Sequence, residues 1–260
     1  MNSTSSSTPL DGLIFGVCAV LGGVVTTACL YRARTSPTVA NRCITYAFGI
    51  CTFGVAFAIP AVASWAEELT GIDNVAKLVA HICAILWSAS LQLTMVDIAY
   101  DPEYLRTAIY QRATVAFAVL LVMIPLWLKA NAGSVEFTTA FAANVPIRVY
   151  LLVYLGYVFL TCCELAFMCG KSATLNWPER PWSSFGYGSS AAAAVAGIGY
   201  TASKGGYLLA YTAGAPWSLR LEEKLSPALS GIAIVLLFIG LTLPVFGLAF
   251  RTVRRRLSRA

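Results

Sequence analysis

Four ionisable side chains, His81, Asp97, Glu164 and Lys204, stand inside long apolar stretches of the sequence. A charge at the centre of a bilayer costs from about 3 to above 10 kcal/mol, so such residues face a bundle interior or reach for an interface. Turned inward, a lysine can hold a carboxylate, and a histidine and two carboxylates can relay protons. Other chemistry has little to work with. There is no nucleophile–base pair, Walker loop or HExxH sequence. His81 is the only histidine, so a metal site would need cysteine or carboxylate ligands, and the eight cysteines show no ligand spacing. They read as buried thiols acting as small hydrophobes. The expectation is a protein without catalytic residues, cofactor or metal.

The surroundings of these groups define the solvent. Of 260 residues, 58% are hydrophobic and 12% charged, with a mean hydropathy of +0.73. Soluble domains carry about 25% charged residues, so half that number cannot cover a water-facing surface. Seven stretches approach the roughly 20 apolar residues that cross a hydrocarbon core: Leu13–Tyr31, Ile44–Trp65, Val75–Tyr100, Ala108–Ala130, Ile147–Gly170, Ser189–Thr212 and Leu225–Phe250. None alternates like a barrel strand. The fold class predicted is an all-α, seven-helix membrane bundle.

Flanking charge gives an orientation. Counted on alternate sides, twelve Lys and Arg, among them Lys171, Arg180 and Arg251, stand against five: Lys77, Lys129, Arg148, Arg220 and Lys224. The positive-inside rule then puts the N-terminus outside and the C-terminus in the cytoplasm. Residues 1–12 read as a disordered extracellular tail with no signal-peptide pattern. Residues 13–250 form the membrane domain, and 251–260 a basic cytoplasmic tail. "EELTGIDN" and "APWSLRLEEK" read as outer loops, and "KSATLNWPERPWSSFGYG" as the longest inner one. The plasma membrane is the expected location. Arg254, Arg255 and Arg256 are expected to meet anionic lipid, with a small polar ligand and a cytoplasmic protein as further partners and no nucleic acid.

Depth and periodicity sort the polar groups. Lys204 lies about eight residues below the outer end of the sixth span, roughly 12 Å at 1.5 Å per residue. A lysine stem covers about half of that, so the ammonium is expected to point into the bundle. His81 sits at a similar outer depth, while Asp97 and Glu164 lie near the inner ends of their spans. At about 100° per residue, Tyr200, Lys204, Tyr207 and Tyr211 share a face. Tyr150, Tyr154, Tyr157, Thr161 and Glu164 share another, and His81, Ser88 and Gln92 a third, from which Asp97 points away. Facing one another, these stripes would line a polar cavity. Its ligand-binding residues would be His81, Lys204, Tyr200, Tyr207, Gln92, Tyr154 and Tyr157, with Glu164 and Asp97 as coupling groups if the protein transports. Asp97 and Glu164 are expected not to pair. Two other readings stay open: tyrosines as an interfacial belt, and stripes that only bind helices together.

Microbial rhodopsins carry a lysine in the last helix, whereas the last span here has none. The helix-three and helix-seven signatures of G-protein-coupled receptors are also missing. At "AIPAVASWAEELTGIDNVAKLVAHICAILWSASLQL" (58–93) the chain resembles a family of actinobacterial seven-helix membrane proteins often labelled transporters. Pro60, Leu69, Thr70, Gly71, Asn74 and His81 carry the likeness. "YLLVYLGYV", "GYTASKGGYLLA" and "LLFIGLTLPVFG" extend it to later spans. The resemblance implies a membrane fold, and in many members a cytosolic domain after the last helix. Here the sequence closes on "RTVRRRLSRA", so output through such a domain is not expected. The readings that follow are a ligand-binding sensor, a transporter of a small polar or anionic solute with His81, Gln92 and Glu164 along its path, or a structural partner.

Overall fold

A computed structural model of the chain describes residues 9–130 and 138–257. Among these there are eight α-helices, one short 3-10 turn and no strand. The helices are α1 (Pro9–Thr35), α2 (Val39–Ala56), α3 (Pro60–Thr70), α4 (Val75–Ala99), α5 (Pro102–Ala130), α6 (Val145–Asn176), α7 (Pro181–Ala213) and α8 (Leu219–Leu257). Six of them contain stretches long and apolar enough to cross a membrane: α1, α2, α4, α5, α6 and α8. The protein is therefore a multi-pass membrane protein by the character of its helices. The sixth expected span, α7, is 33 residues long, but its glycines, serines and Lys204 dilute its apolar content, and it is not among the six.

Several boundaries differ from the sequence reading, each for a local reason. The expected second span, 44–65, is broken in two. Its helix ends at Ala56, and Pro60 opens α3 as an N-terminal proline, where a missing N–H costs nothing. Gly71, at φ +65°, closes α3 in the left-handed conformation that glycine adopts without strain. The expected inner loop 171–188 is nearly all helix: α6 continues to Asn176 and Pro181 starts α7. The expected outer loop around Glu222 also belongs to a helix, since α8 begins at Leu219. At the ends, α1 already starts at Pro9 and α8 runs on through Leu257. Residues 1–8 of the expected outer tail and 258–260 of the expected cytoplasmic tail lie outside the described residues.

The chain divides into two compact units, residues 1–154 and 155–260, with the division inside α6. In the first unit, α2 packs on α1 and α4, and α4 also packs on α3 and α5. Gly54 makes the α2–α4 approach possible, since a Cβ there would lie 2.7 Å from Cβ of Cys83. Ile85 and Val96 of α4 are wholly buried. In the second unit α7 lies along α8, and Gly240 of α8 rests directly against the Gly186 carbonyl and Ser190. Close approach at small residues is the usual way helices associate where lipid removes any hydrophobic drive.

Candidate functional site

In the first unit, α4 presents His81, Ser88 and Gln92 at helical spacing, and Ser88 and Gln92 are buried. The His81 ring is half-buried and stacks on Tyr154 of α6, with centroids 4.4 Å apart and planes 26° from parallel. Its Nδ1 shares a hydrogen bond of 2.9 Å with the Tyr150 hydroxyl, either atom donating according to the histidine tautomer. Tyr150 is fully buried. An imidazole held between two tyrosines, by a ring stack and a hydroxyl, is fixed in orientation.

Asp97 stands at the other end of α4 and has a different task. Its Oδ2 accepts a hydrogen bond of 2.8 Å from the backbone N–H of Ala40, in the first turn of α2. The first N–H groups of a helix have no partner within it, and a carboxylate there also meets the favourable end of the helix dipole. Thr38 supplies the neighbouring cap, its hydroxyl accepting from the Asn41 N–H at 3.1 Å. Asp97 is thus a helix-capping group that ties α4 to α2.

The second unit contains Lys204, Tyr200, Tyr207, Tyr157 and Glu164. The Lys204 ammonium lies 3.0 Å from Oε1 of Glu222 in α8. Glu222 is completely buried, and the Ser226 hydroxyl, one turn further along, donates to the same oxygen at 2.9 Å. Glu222 occupies the first turn of α8, where unpaired N–H groups and the helix dipole favour a carboxylate. On its other flank, the ammonium lies 5.8 Å from the centre of the Tyr200 ring, within cation–π range. The lysine side chain remains 27% exposed. Tyr207 and Tyr157 are buried, and Glu164 is half-buried.

The connection between α7 and α8 brings these groups together. Gly214, at φ +67°, ends α7, and the chain turns back so that Trp217 packs where a Gly206 Cβ would lie, 2.9 Å away. The space beside Lys204 at Gly206 is therefore filled by this connection rather than by another helix, while Gly205 faces open space. Sequence reasoning missed Glu222 and Ser226, because an acid in "LRLEEK" reads as a loop charge. A signal was present: Glu222 and Ser226 are four residues apart at the start of an apolar helix. Among the described residues, no group of three His, Cys, Asp or Glu side chains is placed to hold a metal ion.

Comparison of the chain with protein-family models, with curated proteins and with solved structures finds no match.

Proposed function

We propose that the protein binds a small anionic or polar solute at Lys204, within a seven-span membrane bundle in which α7 is the additional span. The observation that carries this reading is the asymmetry of the ion pair. Glu222 is fully buried while Lys204 keeps an open side. An ammonium has three donors, and the carboxylate takes one of them, so a second acceptor has a place to bind. The Tyr200 ring shapes the approach. In this reading the N-terminus is outside, the C-terminus is in the plasma-membrane cytoplasm, and the family resemblance at residues 58–93 is one of common fold. The test is a melting-temperature screen of the purified protein in lipid nanodiscs against small carboxylates. At least one is expected to raise the melting temperature of the wild type and to leave Lys204→Met unmoved. No shift with any of them would reject the reading.

A second reading has its own observation. The Lys204–Glu222–Ser226 set joins α7 to α8 through a wholly buried carboxylate, which is what a structural clamp requires. It is the outcome if Lys204 substitutions change stability alone.

A further inference from the structure

Away from Lys204, the second unit has an apolar groove of about 570 Å³, in the range of about 300–1,000 Å³ usual for small-ligand sites. It lies where the C-terminal end of α6 meets the N-terminal part of α7 and the later turns of α8. Ala173, Trp177, Gly188, Ala192 and Ile239 are among the residues that line it. The three helices are tied together there. The Ser184 hydroxyl donates to the Ala173 carbonyl, and the Ser189 hydroxyl donates to the Leu236 carbonyl at 2.6 Å. The wall's serine hydroxyls are thus used internally, which leaves an apolar trough.

The turn between the lining residues Trp177 and Ser184 carries Arg180, and Lys171 stands two residues before Ala173. Lys171 of α6 and Arg180, which precedes α7, are both exposed, with Glu179 as the acid beside them. Beyond this end α8 stays helical to Leu257, through Arg251, Arg254, Arg255 and Arg256. The exposed rings of Trp177 and Trp182 flank the turn, as aromatic side chains do at headgroup level. An apolar trough with a basic, tryptophan-marked end fits a molecule with a hydrocarbon tail and an anionic head. We infer that this groove binds one anionic phospholipid, with an acyl chain along Gly188, Ala192 and Ile239 and the phosphate at Lys171 and Arg180.

The test uses the full chain purified in mild detergent and exchanged against phosphatidylglycerol or phosphatidylcholine, with retained lipid read by native mass spectrometry. Two variants separate tail from head. A Cβ at Gly188 would meet nothing within 4 Å, so Gly188→Leu fits the fold while filling the trough. Lys171→Gln with Arg180→Gln removes the basic end. Wild type should retain phosphatidylglycerol about thirtyfold better than phosphatidylcholine, the effect of two basic groups near an anionic headgroup. The charge variant should hold both lipids equally, and Gly188→Leu should hold neither. Equal retention of the two lipids by wild type, or undiminished phosphatidylglycerol on Gly188→Leu, would overturn the inference. A Gly188→Cys variant that crosslinks to a second copy in the bilayer would also overturn it, by making the groove an interface between chains. Helical circular dichroism verifies that each variant is folded, and Arg180→Gln alone gives an intermediate preference if the charges act separately.

Discussion

The two units accommodate polar side chains in opposite ways. In the second, a full positive charge meets a full negative one: Lys204 is paired with the buried Glu222, to which Ser226 also donates. In the first, the contacts of the corresponding groups are aromatic rings, a hydroxyl and backbone. His81 rests between tyrosine rings and a tyrosine hydroxyl, and Asp97 is satisfied by the backbone at the start of α2. The difference teaches what each can do. An aromatic nest and a helix cap join neighbouring helices, and they organise packing. A charge pair with one member open to its surroundings still has a bond to offer.

Substitutions should separate the two regions by size of effect. The largest is expected at the ion pair. Lys204→Met takes the ammonium away from a buried carboxylate, which costs about 3–5 kcal/mol when one partner of such a pair is removed. The double variant Lys204→Met with Glu222→Met should regain most of that loss, because a buried pair replaced by apolar groups is often neutral. Unfolding titrations of the single and double variants give the coupling directly. If the double variant is as unstable as the single, the pair is not the source of the effect.

Next comes Asp97→Ala, at about 1 kcal/mol, the usual worth of a helix N-terminal cap. Hydrogen exchange at the first turn of α2 should rise in step, with the turn around Lys204 unchanged. Faster exchange spread evenly over the first unit would mean that Asp97 does more than cap. The smallest effect belongs to Tyr150→Phe, at about 0.6 kcal/mol, typical of a hydrogen bond between membrane helices. It keeps the ring and deletes the hydroxyl that bonds His81. A loss as large as that of Lys204→Met would erase the contrast between the units.

The membrane character and most helices were legible in the sequence, because apolar length and sparse charge are properties of each segment alone. Boundaries were less legible. Pro60 splits the second expected span, and Pro181 starts a helix inside what reads as a polar loop. Both follow from the fixed φ of proline, but hydropathy outweighs that signal in a window average. The pairing of Lys204 with Glu222 was not legible, although the spacing of Glu222 and Ser226 was. Depth alone placed the ammonium too far down to reach water, without showing that α8 begins at Leu219 and delivers Glu222 to the same level. Similarly, the role of Asp97 depends on α2 starting beside it, a tertiary fact with no trace in the spacing of α4.

The central claim is that Lys204, held on one side by Glu222, offers its other side to a small anion. Calorimetric titration of a carboxylate that shifts the wild-type melting temperature, into wild type and into the folded Lys204→Met, Glu222→Met double variant, tests it most directly. The account predicts heat and saturation with wild type and none with the double variant. Equal binding by the two proteins would contradict it.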